Sequence, residues 1–431
     1  MFDNPAFERL SISVSPTGDP WRDGATIQRA LDAAGTCGGG TVRLKAGTYV
    51  LPGPVMLRSD VALVGADGAT LRRPDAPAVS ELAVDADTGE FRITPADASA
   101  FCPGMAVVLH DRQSGWSPGF FPSIVAAVQD GTLLLTDMLP HHRAAADGAR
   151  VASYYPLVLG MRAARARVEN LTLDNGVDDR GALAGTRTAA LYLYHSPHCT
   201  VRGVRACNAL GDGICVGKAS VGAVIEECEA FDNTNYGIHP GSHSAHCAVR
   251  RCHIHHNGSD GLYVCWGIHH STFEENDIHN NGHLEWRSGL SIGHKDTDNL
   301  IARNHVHHNI KHGISFRRKT EANGAHRNVL RENVIEDNGL SPDQAFEGAT
   351  GLPVGEIKGC GIYVSGVTHD LTLERNVIRE TRSGDERLQR RAVYLAPGVH
   401  RVRMAGNVME GHLEGPVVDE SGSGDHELQD I

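Results

Sequence analysis

Aromatic residues make up only 5% of the 431-residue chain, and no two of its ten cysteines form a Cys-x-x-Cys pair. Nowhere do apolar residues run to the roughly 18 in succession that a membrane-crossing helix needs, so no membrane partner is expected. The opening residues, MFDNPAFERLSISVSPTGDPW, lack a basic head followed by an apolar core. They do not read as a secretory leader, and the sequence as it stands is expected to be cytoplasmic. Positive charge is scarce as well: 40 Lys and Arg against 52 Asp and Glu leave a formal net charge of −12. That excess of acid argues against nucleic acid as the main partner. Six cysteines (Cys199, Cys207, Cys215, Cys228, Cys247 and Cys252) crowd into one region. They are expected to be small core residues of stacked strands rather than zinc ligands, in a reducing compartment.

What the chain does have is glycine, 49 residues of it, and a repeat. A glycine opens each of six similar strings: Gly213 (GICVG), Gly237 (GIHPG), Gly261 (GLYVC), Gly289 (GLSIG), Gly313 (GISFR) and Gly361 (GIYVS). Their spacings are 24, 24, 28, 24 and 48 residues. A second register runs through Cys207, Cys228, Cys252, Asn276, Asn304, Asn333, Asn376 and Asn407. A third holds Asn233, Asn257, Asn281, Asn309 and Asn338. Periodicity of this length marks a solenoid, in which no single unit can bury its own apolar face. Each unit carries three short runs, as in STFEEN, DIHNN and GLYVC, separated by turn residues. Stacked about 4.8 Å apart, such runs form parallel sheets around a narrow interior. Buried asparagines in line then bond one another and the turn backbone. The pattern predicts an all-β fold, a right-handed parallel β-helix.

Strand alternation points Leu262, Val264, Phe273 and Ile278 inward. His255, His279 and His307 fall at one outward position on neighbouring coils. A row of imidazoles alone lacks a closed ligand set, so it is read as a surface stack and no metal site is assigned. Residues 1–80 are expected to hold an N-terminal cap and the first coils, and 81–155 a small antiparallel β insertion. The main helix then fills 156–415, with 416–431 a flexible tail.

The amino-terminal stretch DGATIQRALDAAGTCGGGTVRLKAGTYV, residues 23–50, offers an amphipathic helix, a glycine turn and a strand. It resembles the signature of the pectate-lyase-like superfamily, in which a helix caps the open end of the β-helix and hides unpaired strand edges. The resemblance spans about residues 10–415 and implies a carbohydrate-active protein.

The GLYVC-type strand is the expected working face, because its outward positions break the repeat and long insertions enter beside it. One row reads Cys215, His239, Tyr263, Ser291, Ser315 and Tyr363; the next reads Gly217, Gly241, Cys265, Gly293, Arg317 and Ser365. Just beyond lie Lys218, His243, Trp266, His294, Lys295, Arg318 and Lys319. Cations beside Tyr263, Trp266 and Trp286 suit an anionic sugar chain, whose rings stack on aromatic faces and whose carboxylates take the cations. Substrate binding is therefore expected at His243, Trp266, Glu285, Trp286, His294, Arg318 and Lys319. No cofactor is implied; a divalent cation is the one addition left open, and nothing assigns an oligomeric state.

Three chemistries compete. β-Elimination from a uronate needs a base, an acid and a cation for the carboxylate. Lys295 and Arg317, one coil apart, resemble the base and acid of β-helical alginate and dermatan lyases. Tyr263 with His239 resembles the acid/base pair of uronate epimerases and lyases, although the DPHD string of alginate epimerases is replaced by IHPG. The calcium-binding acidic cluster of pectate lyases is absent from the sequence. Hydrolysis would instead use Asp212 and Asp260, two coils apart at the wide separation of inverting glycosidases. GDGICVGK and SGLSIGH resemble polygalacturonase-type segments, without their NTD triplet and with Ser288 in place of a histidine; Glu285 is a third carboxylate. A non-catalytic carbohydrate-binding β-helix is the remaining alternative. The first expectation is a polysaccharide or oligosaccharide lyase, with a glycoside hydrolase second.

Overall fold

Three or four residues form a strand here only because the next coil repeats them in register. In a computed structural model, residues 5–111, 122–176, 188–284, 287–339 and 359–429 are described. The chain divides into two compact units, residues 1–192 with 204–214, and residues 193–203 with 215–431.

In the second unit three parallel sheets recur coil after coil. One coil contributes Thr272–Glu274 to the first sheet, Asp277–His279 to the second and Leu290–Gly293 to the third. Its counterparts on the next coil, Leu300–Ala302, His305–His307 and Ile314–Phe316, pair with these in parallel register. Leu262, Val264, Phe273 and Ile278 are fully buried, as alternation predicts. The corner between the first two sheets needs a residue in the left-handed region, filled by Glu227, Arg251, Glu275, Arg303 and Glu332. The residue that follows is a cysteine or an asparagine of the second sequence register, and it ties the corners together. Asn276 Nδ2 donates to Asn304 Oδ1 at 2.9 Å, Asn304 to Asn333 at 2.9 Å and Asn333 to Asn376 at 2.9 Å. The other ladder runs from Asn233 to Asn338 and ends where Asn338 Nδ2 meets Gln389 Oε1 at 2.8 Å. These buried amides are satisfied by one another and by carbonyls of the preceding coil, so the ladders need no ligand. The crowded cysteines are free thiols, and all six are buried.

In the first unit the helix Pro20–Thr36 starts earlier than Asp23, because Asp19 caps it by accepting from Trp21 N and Arg22 N with Pro20 in the first turn. Ile27, Leu31 and Ala34 are buried on one face, and the helix packs on the strands Ser11–Val14, Gly40–Leu44 and Gly47–Val50. The small insertion is a six-stranded antiparallel sheet over Val79–Ala152, with its own core around Ile93, Leu109, Val125 and Leu133.

The tail departs from expectation. Val417–Asp419 and Glu427–Leu428 extend the third and first sheets of the second unit, pairing with Gln389–Leu395 and His400–Ala405. Backbone pairing to the last full coil orders a segment that its Ser/Gly composition alone does not.

Candidate active site

Strand register decides which side chains meet. On the third sheet Tyr263 pairs with Ser291, Ser291 with Ser315, Ser315 with Tyr363, and Tyr363 with Tyr394. His239 enters one coil before Tyr263, where Ile238 pairs with Leu262. Their ring centroids are 5.0 Å apart and nearly perpendicular. Tyr236, beside the opening glycine of that coil, stacks flat on Tyr263 at 3.8 Å and meets His239 edge-on at 5.2 Å. Three rings thus form one continuous surface.

Glycine makes the room. A Cβ on Gly241 would stand 2.7 Å from His239 Nε2, so a side chain there would crowd the imidazole, which is itself 9% exposed. A Cβ on Gly293 would press on Arg317 Cβ at 3.0 Å and Nε at 3.2 Å. Across that gap Arg317 folds back along the sheet. Its Nη1 donates to Ser291 Oγ at 2.7 Å, its Nη2 donates to the Val264 carbonyl, and its guanidinium carbon sits 4.2 Å from the Tyr263 centroid. Asp296 Oδ2 lies 3.6 Å from Nη2.

Asp296 holds the turn below. Its Oδ1 accepts from Ile268 N and its Oδ2 from Gly293 N, both at 2.9 Å. Burial lifts its carboxyl to about 7, although Arg317 and these amides pull it back. Burial also raises the Tyr263 phenol, with Arg317 opposing, so the phenol keeps its proton at neutral pH. The Cys265 thiol is pushed up to about 11, again by burial, and lies 3.1 Å from His294 Nδ1. His294 falls to about 4 through burial and then the charges of Lys319 and Arg317, and is neutral. Lys319 is lowered by burial and by Arg317.

His243 N donates to the Trp266 carbonyl at 2.7 Å, and Trp266 meets His294 edge-on at 5.9 Å. Trp266 is 58% exposed. His243, Lys295 and Arg318 are exposed and Lys319 half-buried. Among the described residues, none of Lys295, Arg318 and Lys319 has a carboxylate within ion-pair distance. The arginines of the first sheet differ: Arg202 and Arg250 both bind Glu226, and Arg303 binds Glu274.

Several expectations change. Arg317 is better suited to hold charge than to give up a proton: a guanidinium stays protonated through the neutral range, and although burial disfavours its charge, its acidic neighbours raise its pKa. Lys295 stands on a left-handed turn (φ 67°), with its N–H on the Asn323 carbonyl, and no contact with the Tyr263 cluster is present among the described residues. Asp212 and Asp260 are both buried rather than displayed on an open face. Asp260 Oδ1 accepts from Ser288 N at 2.9 Å, which ties it to the equivalent position of the next coil. Asp212 belongs to the first unit and Asp260 to the second. Glu285 and Trp286 lie outside the described residues, as does most of the long insertion before Cys360.

Sequence reasoning missed Tyr236 and Asp296. Tyr236 occupies the position before the opening glycine, the same register as Asp212, Asp260, Ser288 and His312. Asp296 continues a turn ladder in which Ser196 N donates to Ser220 Oγ and Ser220 N to Ser244 Oγ.

A family profile described as a right-handed β-helix region matches residues 189–378. The fold is a right-handed parallel β-helix. Among solved structures, this β-helix is similar to the A-module of an Azotobacter vinelandii mannuronan C-5 epimerase, AlgE4, with a TM-score of 0.58, 15% identity and 98% of each chain covered. It is also similar to the Dettilon tailspike protein gp208, with a TM-score of 0.55, 13% identity, 96% of this chain covered and 64% of that one. A structure titled glycoside hydrolase matches with a TM-score of 0.50, 14% identity, 94% of this β-helix covered and 96% of that chain. No curated protein sequence matches it. At these identities the likenesses establish the fold of the β-helix and leave its chemistry to the residues on its third sheet.

Proposed function

We propose that this protein is a carbohydrate-active enzyme, a lyase that abstracts the C5 proton of a uronate residue in a polysaccharide or oligosaccharide. The observation that carries the reading is the contact of His239 with Tyr263 over a floor of Tyr236, beside a guanidinium held at 4.2 Å. A proton next to a carboxylate becomes removable when a cation neutralises the carboxylate and a base stands close by. Lys319, whose charge acts on Cys265 and His294, supplies a cation that no described carboxylate claims, with Arg318 next to it in the chain. His239, with no side chain at Gly241 to crowd its Nε2, takes the C5 proton. The C5 electron pair forms the C4=C5 double bond as the C4–O bond breaks, and the Tyr263 phenol gives its proton to the departing oxygen. Arg317 positions Tyr263 and steadies the charge left on it. Trp266, 58% exposed, offers a face for a neighbouring sugar ring, whereas Tyr363 is stacked between His312 and Tyr394.

Elimination is favoured over epimerisation by the layout of these rings. Tyr236, His239 and Tyr263 touch one another and so address one face of a sugar. Inverting C5 requires a proton delivered from the opposite face, whereas removal and leaving-group protonation from one side complete an elimination. Hydrolysis is disfavoured because Asp212 and Asp260 are no more than 2% exposed and Asp260 Oδ1 already accepts from Ser288 N on the next coil.

A panel of uronate polysaccharides tests the reading. The ultraviolet absorbance of an unsaturated uronate is expected to rise together with new reducing ends. Reducing ends without that absorbance would assign hydrolysis, and neither signal would leave a binding protein.

A further inference from the structure

The second sheet of the same unit carries a different chemistry. Outward positions of its strands Glu229–Phe231, His253–His255, Asp277–His279, His305–His307 and Val334–Glu336 stack in two parallel rows. One row reads Glu229, His253, Asp277, His305; the other reads Phe231, His255, His279, His307, Glu336. From the sequence the imidazoles alone formed an open stack. Register adds what that stack lacked, a carboxylate beside every second pair of rings.

Three sets bring two histidines and one carboxylate together, with ligand atoms within 4.8 Å of one another: Glu229/His253/His255, His253/Asp277/His279 and Asp277/His305/His307. Glu229 Oε1 is 3.2 Å from His255 Nε2 and 3.8 Å from His253 Nδ1. Asp277 Oδ1 is 3.0 Å from His307 Nε2 and 3.6 Å from His305 Nδ1. In the middle set His253 Nε2 and His279 Nε2 approach to 2.7 Å, with Asp277 Oδ2 3.8 Å from His253 Nε2. Stacking fixes the rings: His255, His279 and His307 lie 5.1 and 4.8 Å apart, centroid to centroid, with interplanar angles of 5° and 19°. The rings are therefore aimed before any ligand arrives, and the side chains of His253, His305 and Asp277 are 44%, 44% and 47% exposed.

We propose that this sheet binds divalent transition-metal ions through two-histidine, one-carboxylate sets. Imidazole nitrogen with a single carboxylate suits Zn²⁺ and its neighbours, with remaining positions open to water. Ca²⁺ wants six or more oxygens and is excluded by the same donor set. Sharing fixes the number. The first and third sets have no residue in common, whereas the middle set takes His253 from one and Asp277 from the other. Two ions fill the strip, two coils or about 10 Å apart at the usual strand spacing. They lie on a different sheet from Tyr263 and His239, so their binding is read independently of any activity on sugars.

Titration calorimetry of the chelator-treated full-length protein with Zn²⁺ tests this. His253→Ala is expected to lower the number of bound ions by one, leaving the third set intact. Asp277→Ala should also lower it by one, leaving the first, and the double variant should lower it by two. Ca²⁺ should not displace Zn²⁺. Far-ultraviolet circular dichroism and melting in chelator should be the same for all four proteins, as expected for exposed residues. Co²⁺ provides a second measurement: nitrogen and oxygen ligation gives weak visible bands without the intense sulfur charge-transfer band. Absence of Zn²⁺ binding, a stoichiometry unmoved in the double variant, or a sulfur band would each overturn the proposal.

Discussion

The guanidinium of Arg317 lies over the ring of Tyr263, two coils earlier, at 4.2 Å from its centroid. The sheet register, the missing side chain at Gly293 and the Ser291 hydroxyl all converge to hold it there. Replacing Arg317 by Ala leaves a buried phenol without the charge that opposes its desolvation. Activity is expected to fall by about 10² or more, as for loss of one preorganised charge partner. Lys is expected to rescue little, because it cannot span Ser291 and the Val264 carbonyl as a fork. Steady-state kinetics of both variants check this, with an unchanged melting temperature excluding simple unfolding.

Gly241 is expected to be irreplaceable even by alanine. The added methyl would stand 2.7 Å from His239 Nε2 and 3.3 Å from the Cys265 carbonyl. The imidazole is the softer neighbour and should turn away. Gly241→Ala should therefore lower kcat strongly while costing about 1–3 kcal/mol of stability, the range for overpacking. Kinetics and a denaturant melt on the same preparation separate the two effects.

Asp296 gives a pH dependence of known sign. Its carboxyl rises from an ordinary 3.8 to about 7 in the folded protein through burial. Between those values the folded state holds a proton that the unfolded chain has released. The Asp296 contribution to stability is thus present below 3.8, declines as pH rises through that window, and is lost above about 7. Urea melts on either side of the window should show this component in the wild type. Asp296→Ser, which restores the residue found at Ser220 and Ser244, should remove it.

The asparagine ladders predict where the solenoid is weakest to mutation. Buried Asn281 donates to the Ile254 carbonyl at 3.0 Å, the His279 carbonyl at 2.9 Å and Asn309 Oδ1 at 3.1 Å, and accepts from Asn257 Nδ2 at 2.9 Å. Alanine orphans those partners in a dry interior. A loss of about 3 kcal/mol or more is expected, since each stranded buried group costs about 1–3 kcal/mol. Equilibrium denaturation measures it.

Repetition made the scaffold legible. Leu262, Phe273 and the Asn ladders were assigned from spacing alone, because in a solenoid the same position on successive coils has the same surroundings. The outward row of His239, Tyr263 and Ser291 was legible for the same reason. What spacing could not supply was side-chain direction. Arg317 was placed on the correct face, yet its backward fold onto Tyr263 depends on the empty volume at Gly293. Asp260, expected on an open face, is buried and bonds Ser288 N of the next coil. Tyr236 carries no signal in spacing, because its register otherwise holds Asp212, Asp260, Ser288 and His312 and does not mark an aromatic there. Glu229 and Asp277 are not marked by the histidine row, because they stand in the parallel row two residues earlier on each strand.

Solvent exchange at C5 tests the central claim most directly. With a uronate polysaccharide in deuterated buffer, magnetic resonance and mass analysis should find unsaturated products from the wild-type protein. Tyr263→Phe keeps the flat stack on Tyr236 but has no proton to give, and should lower that rate by about 10²–10⁴, the usual worth of a positioned acid. Its residual turnover should carry deuterium into recovered substrate at C5, since His239 still removes the proton and the leaving oxygen no longer departs. Cleavage that proceeds at the wild-type rate in Tyr263→Phe, or products lacking the C4=C5 double bond, would contradict the account.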